Sequence, residues 1–126
     1  MIEIEELYRR WNNANESQKY MVLLPLLEYG YPKGALLLYN KTILGQAQLE
    51  KLIEYSLNWV SGGSWSLLAI EWIEHGFPMN EKMSEILLLN SKNKKKHSQN
   101  ERHRAQKLVS KFNKTKQDDK ENKDHK

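Results

Sequence analysis

The chain ends two apolar segments with nearly the same six residues, LEYGYP at positions 27–32 and IEHGFP at positions 73–78. Each copy places a glycine after the apolar segment, and then an aromatic residue and a proline. Glycine is common at the position that follows a helix, and a proline shortly after it prevents the helix from continuing. Each copy therefore predicts a helix that ends at its glycine, a turn and a new helix.

The spacing of these two turns favours a helical repeat. Gly30 and Gly76 are 46 residues apart, within the period of roughly 40–47 residues that HEAT and armadillo repeats show. Such proteins present extended surfaces to their partners. We therefore predict an all-α fold, with six or seven helices in a short HEAT/armadillo-like array.

Apolar residues at helical spacing predict where the individual helices lie. Pro25 predicts a kink or a break in the second of them, and Asn80 is a candidate N-cap. Ser98 and Glu101 match the S-x-x-E capping box, which predicts the start of a last helix after a polar loop over 90–97. The helices predicted before that loop cover residues 3–13, 17–29, 35–39, 46–60, 65–75 and 80–89.

Charge divides the chain into two parts. Residues 1–90 contain seven Lys/Arg and eleven Asp/Glu, a net charge of −4, whereas residues 91–126 contain thirteen and five, a net charge of +8. We predict a helical domain over 1–112, made of an acidic body over 1–90 and a basic loop and helix over 91–112. Residues 113–126 contain no apolar residue and are predicted to be a disordered tail, because they have nothing to bury.

Composition argues against several classes of protein. The chain has no cysteine, which excludes a disulfide framework and cysteine zinc sites. No apolar run approaches the ~20 residues of a membrane span, and the acidic start of the chain does not match a signal peptide. We expect a cytoplasmic protein with no membrane contact.

The sequence offers little that favours catalysis. Its histidines, at positions 75, 97, 103 and 125, lack a recognised metal-ligand spacing. The stretch Gly62–Ser66 matches neither a phosphate-binding loop nor a nucleophile elbow. We predict that the protein is not an enzyme and has no metal site and no cofactor.

Acidic and aromatic side chains on the predicted helices are candidates for binding a protein partner. An acidic surface would attract a basic partner, and Trp and Tyr are frequent anchors of interfaces. The alternative is that the acidic residues are ordinary solvated positions. Core packing is predicted for Trp65 and Trp72. The candidate partner-binding residues are Glu28, Tyr55, Trp59, Glu71, Glu74, Glu81 and Glu85.

Basic side chains of the segment 92–114 favour a different function, association with nucleic acid. The basic residues of the last helix fall on the side opposite its apolar residues, and a lysine-rich stretch precedes them. Clustered lysine and arginine can bind phosphates. The alternative is that this helix balances the charge of the acidic body. The candidate nucleic-acid-binding residues are Lys92, Lys94, Lys95, Lys96, Arg104, Lys107 and Lys111.

The chain resembles the small all-α immunity proteins of bacterial toxin–immunity systems, including contact-dependent inhibition. The resemblance covers residues 17–110 and rests on the two glycine–aromatic–proline turns, the segment Trp65–Trp72 and the segment SQNERHRA at 98–105. It implies a cytoplasmic, non-catalytic inhibitor that neutralises a cognate toxin domain, often a basic nuclease, by direct binding. It assigns no binding residues, because such partners diverge in pairs. The basic C-terminal third departs from the usual acidic character of these proteins.

Overall fold

The computed structural model describes residues 2–39, 45–59 and 64–124. Within these ranges it contains seven α-helices, one 3₁₀ helix and no β-strand, which confirms the all-α prediction. The helices are α1 (Ile4–Asn13), α2 (Lys19–Leu23), the 3₁₀ helix (Leu24–Tyr29), α3 (Lys33–Tyr39), α4 (Gln46–Leu57), α5 (Trp65–Glu74), α6 (Glu81–Ser91) and α7 (Gln99–Asp124).

The chain folds as two compact units. Unit 1 is Met1–Pro78 and contains α1 to α5, and unit 2 is Met79–Lys126 and contains α6 and α7. The structural boundary thus lies twelve residues before the change in charge at residue 90, because α6 packs along α7. Unit 1 has six Lys/Arg and nine Asp/Glu, a net charge of −3, and unit 2 has fourteen and seven, a net charge of +7.

The predicted helix over 17–29 is divided into two shorter helices near Pro25. Of the predicted kink and the predicted break, the structure thus shows the break. α2 ends at Leu23, and the 3₁₀ helix that follows has Pro25 in its first turn. Proline has no N–H to donate and its ring clashes with the preceding turn, so it is tolerated only near a helix start. The break lets both short helices contribute leucines to the core of unit 1, and Leu23, Leu24, Leu26 and Leu27 are all buried.

Trp72 on α5 lies at the centre of unit 1. Its side chain is fully buried, and its indole Nε1–H donates a hydrogen bond to the Leu27 carbonyl oxygen over 2.9 Å. Gly34 on α3 leaves room for the ring, since a Cβ at that position would lie 2.7 Å from Trp72 Cζ2. The predicted core role is confirmed for Trp72, whereas Trp65 is only half-buried.

The two glycine–aromatic–proline turns pack against each other. Gly30 and Gly76 have positive φ angles, +78° and +110°, which glycine adopts without steric cost. The Tyr31 ring centroid lies 5.4 Å from that of Phe77 and 5.6 Å from that of Trp72. The turns predicted from the sequence are confirmed, while the HEAT/armadillo-like array stays a prediction.

Unit 2 is a helical hairpin. Asn80 caps α6 as predicted, because its side-chain oxygen accepts a hydrogen bond from Met83 N over 2.8 Å. α7 continues from Gln99 to Asp124, so the predicted disordered tail over 113–126 is not confirmed in the described part. The side chains of residues 113–116 are exposed, and Lys116 forms an ion pair with Glu81 of α6. The buried side chains of the hairpin are Met83, Ser84, Ile86, Leu87, His97, Ala105 and Val109.

Candidate interaction surfaces

Four aromatic side chains of unit 1 form a continuous row across α1, α2, α4 and the segment that follows α4. Neighbouring ring centroids are 5.6 Å apart for Trp11 and Tyr20, 6.4 Å for Tyr20 and Tyr55, and 5.9 Å for Tyr55 and Trp59. Trp11 is buried, whereas the other three rings are half-buried and reach solvent. The predicted partner-binding residues Tyr55 and Trp59 therefore belong to one surface, which we call the aromatic row.

Charged side chains lie at the Trp11 end of the aromatic row and next to Tyr20. The Lys19 ammonium lies 5.2 Å from the Trp11 ring centroid and 2.9 Å from a Glu16 carboxylate oxygen. Burial raises the pKa of Tyr20; the Lys19 charge acts against this, and the negative charges of Glu16 and Glu54 add to it. Lys19 thus places a positive charge over the face of the Trp11 ring, next to Tyr20 in the row.

The predicted acidic residues divide between the two units. In unit 1, Glu28 is exposed on the 3₁₀ helix, Glu74 is exposed on α5 and Glu71 is partly buried there. In unit 2, Glu81 and Glu85 are both exposed on α6, whose partner within its unit is α7. Glu81 is already neutralised by its ion pair with Lys116. The single acidic ridge predicted from these residues stays a prediction.

The predicted basic residues all lie in unit 2. The lysines at 92, 94, 95 and 96 are exposed in the loop between α6 and α7. On α7, Arg104 is half-buried and its Nη1–H donates to Asn100 Oδ1 over 3.3 Å, whereas Lys107, Lys111 and Lys114 are exposed. A shallow, open depression of about 440 Å³ runs along this helix, lined by His103, Arg104, Gln106, Lys107 and Ser110. We call these residues of the loop and of α7 the basic face.

The lysine-rich loop has a defined backbone conformation. Asn93 fixes it twice, because its side-chain oxygen accepts from Lys96 N over 3.2 Å and its carbonyl oxygen accepts from His97 N over 3.1 Å. At the far end, Ser98 Oγ accepts from Glu101 N over 3.2 Å, which is one of the two hydrogen bonds of the predicted capping box. The exposed lysines therefore project from an ordered turn.

His97 closes the base of this loop. Its side chain is buried, and its Nδ1 lies 3.1 Å from Glu101 Oε2. An ionised carboxylate only accepts hydrogen bonds, so Nδ1 carries the proton. Its Nε2 is buried without a hydrogen-bond partner among the described residues. The Arg102 side chain donates to the His97 carbonyl oxygen over 3.3 Å, which ties the loop to α7.

Sequence reasoning missed several of these residues. Trp11 and Tyr20 lie on segments whose apolar patterns predicted only core positions, so nothing marked them as part of a surface. Asn93 and His97 lie in a stretch without periodicity, where hydrogen bonds to the backbone leave no sequence pattern. Leu88 and Leu89 fit a helical apolar face by type, yet both are exposed.

In the ranges that the structure describes, no helix is both long and apolar enough to cross a membrane. Likewise, no three His, Asp or Glu side chains of the described ranges converge as metal ligands. Comparisons with protein-family models, with curated proteins and with solved structures find no match to this chain.

Proposed function

We propose that this protein is a non-catalytic inhibitor, an immunity protein that neutralises a cognate bacterial toxin by direct binding. The observation that supports it best is the aromatic row of unit 1, where three half-exposed rings continue from a buried tryptophan. Trp and Tyr are enriched among the residues that contribute most to binding free energy. A surface of this composition suits a protein partner.

The charges beside the row indicate the chemistry of that partner. Lys19 stacks on Trp11 within the protein itself, and a lysine or arginine over an aromatic face is attracted by the ring electrons. Glu54 adds negative charge near Tyr20, and so does Glu16, whose carboxylate is paired with Lys19. The partner segment would carry arginine or lysine side chains, as the surface of a basic nuclease toxin does.

The packing of the two turns bears on how unit 1 presents this surface. Tyr31 and Phe77 occupy equivalent positions in the two copies, and their rings are in contact. Stacked neighbouring repeats would bring equivalent residues together in the same way. A short HEAT/armadillo-like arrangement, one that offers an extended helical surface, remains part of the proposal.

The proposal predicts that a neighbouring gene encodes the toxin domain, and the test uses that domain. Cells that express the toxin should survive when this protein is co-expressed, and the two proteins should co-purify. Trp59→Ala should weaken binding by about 2 kcal/mol, the scale of an interface anchor. Trp65→Ala is the matched control, since Trp65 is also half-buried but lies outside the row. Failure of co-expression to protect the cells would rule the function out.

A second candidate function, association with nucleic acid, is favoured by the basic face of unit 2. Four exposed loop lysines and three exposed α7 lysines belong to one hairpin whose net charge is +7. Among the described residues, no ion pair neutralises Lys107 or Lys111. Neutralising phosphates with such groups releases counterions, so affinity should fall steeply with salt.

This second function is tested by fluorescence anisotropy with a short DNA duplex and a single strand. Between about 50 and 200 mM salt the affinity should fall, and each neutralised lysine should reduce the salt slope by about 1. Lys107→Gln combined with Lys111→Gln should show this reduction, and Lys51→Gln, an exposed lysine of α4, should not. Binding that is absent or independent of salt would exclude the basic face from this role.

A further inference from the structure

The outer face of α6 exposes two adjacent leucines. Leu89 is 70% exposed and Leu88 is 42% exposed, two of the four large apolar side chains exposed in the described part of the chain. Single exposed leucines are ordinary, whereas two neighbouring ones on one helix face form a small apolar patch, and covering it with another molecule removes apolar surface from water.

Two opposite charges flank these leucines on the same face. Glu85, Leu88, Leu89 and Lys92 fall at i, i+3, i+4 and i+7, the spacing that places residues on one side of a helix. Lys92 still has helical dihedral angles as the C-cap. Glu85 and Lys92 are both exposed, and neither forms an ion pair within the ranges the structure describes.

The pattern is complementary to itself when it is reversed. Glu85 and Lys92 are equally distant from the point midway between Leu88 and Leu89, about 5 Å along the helix axis in each direction. A second α6 that runs antiparallel about that point would place its Leu89 against Leu88 and its Lys92 against Glu85. A parallel pair would bring like charges together instead, and this is destabilising.

We infer that this chain self-associates as a two-fold symmetric dimer through the outer faces of two antiparallel α6 helices, with Leu88 and Leu89 at the centre. A two-fold contact uses the same patch on both copies, so that a residue pair occurs twice. Here the repeated pair is Glu85 of one copy with Lys92 of the other.

The dimer should be weak. One helix face is smaller than the roughly 800 Å² that each partner contributes to an interface of standard size. We expect a dissociation constant between about 1 μM and 1 mM. Analytical ultracentrifugation of the full chain over this concentration range should show a reversible monomer–dimer equilibrium.

A leucine substitution tests the centre of the interface. Leu89→Glu places a charge against the partner's leucine and should abolish dimer formation. Because Leu89 is exposed, the helix content and melting temperature should match those of the native chain when both are measured well below the dissociation constant, where both are monomers. Leu36→Glu is the matched control, since Leu36 is 54% exposed on α3 of unit 1. It should leave the dissociation constant unchanged.

A charge exchange tests the antiparallel register. Glu85→Lys and Lys92→Glu should each weaken self-association about tenfold, because each replaces two attractions with two repulsions. A mixture of the two variants should form a heterodimer at native strength, since every contact then joins opposite charges. The double variant should likewise dimerise as the native chain does.

The outcomes separate this inference from its alternatives. A protein that stays monomeric throughout the range overturns it and leaves the leucine face to a different protein. A dimer that survives Leu89→Glu, or whose charge variants do not restore each other, overturns the interface. Neither result bears on the toxin-binding proposal, which rests on the aromatic row. The nucleic-acid proposal shares Lys92 with this interface, but its test uses Lys107 and Lys111 of α7, which lie outside the dimer contact.

Discussion

The two units hold their helices together by different means. Unit 1 packs α5 and the 3₁₀ helix around Trp72, whose ring contacts those of Tyr31 and Phe77 and whose N–H is bonded to the backbone. Unit 2 has two helices, a single aromatic residue at position 112 and fourteen basic side chains. A large interlocked core tolerates little change, whereas a two-helix hairpin depends more on its caps and loop. Unit 1 therefore depends on packing around a buried ring, whereas unit 2 depends on its caps and loop and carries most of the basic side chains.

Removing the central ring should have the largest effect. Trp72→Ala leaves a cavity and removes one of the two hydrogen bonds that the Leu27 carbonyl accepts, the other coming from Gly30 N. It should lower the free energy of unfolding by about 3–5 kcal/mol. Hydrogen exchange should show lost protection in α3, α4 and α5. If α6 and α7 lost protection to the same extent, the two units would unfold as one and the contrast between them would fail.

A single methyl group tests how tightly unit 1 is packed. Gly34→Ala would place Cβ 2.7 Å from Trp72 Cζ2 and 3.1 Å from the Leu26 carbonyl oxygen. We expect a loss of about 1–3 kcal/mol, typical of overpacking, in urea denaturation followed by circular dichroism.

Gly30→Ala is the control for this substitution, because nothing lies within 4 Å of its Cβ and only the positive φ opposes it. A native-like stability for Gly34→Ala would show that the Trp72 ring can move to make room for the methyl group at little cost.

The corresponding test in unit 2 concerns a cap. Asn80→Ala removes the acceptor of the Met83 N–H and should cost about 1 kcal/mol. Hydrogen exchange of the α6 amides measures it, and Asn80→Asp should recover most of the loss because it restores an acceptor. No change in α6 exchange would mean that the hairpin does not depend on this cap.

The smallest expected effect is electrostatic and lies on the surface of unit 1. Hydrogen bonds from Arg9 and then Arg10 lower the pKa of Glu6. A carboxyl whose folded pKa is depressed stabilises the fold above its unfolded pKa, and this contribution disappears as the pH falls through the folded value. At neutral pH, Glu6→Gln should therefore have a slightly lower melting temperature than the native chain. In strong acid the two melting temperatures should be equal. A difference that persisted in strong acid would show another cause.

Much of the fold follows from local sequence rules. The two glycine turns, the break at Pro25 and the Asn80 cap each depend on the steric or hydrogen-bonding properties of one residue, and the structure contains all of them. The continuation of α7 beyond Phe112 does not follow in this way. The side chains of residues 113–116 are all exposed, and a segment without buried side chains is predicted to be disordered. The helix nevertheless continues there, because it forms its own backbone hydrogen bonds.

The candidate surfaces were harder to predict, because they depend on distant parts of the chain. Tyr55 and Trp59 could be chosen as exposed aromatics, since they border the apolar arc of one helix. Trp11 and Tyr20 joined them only through the packing of α1 and α2. The basic face was predictable because its lysines are local in sequence, but the turn fixed by Asn93 was not.

The concentration of aromatic residues in unit 1 has a spectroscopic consequence. All four tryptophans and all six tyrosines precede residue 79, so the near-ultraviolet absorbance and the fluorescence of these side chains arise from unit 1 alone. The buried Trp72 should emit at shorter wavelength than an indole in water. Emission then reports on unit 1, while far-ultraviolet circular dichroism reports on the helices of both. The native chain, without any label, supplies separate signals by which the unfolding of its two units can be distinguished.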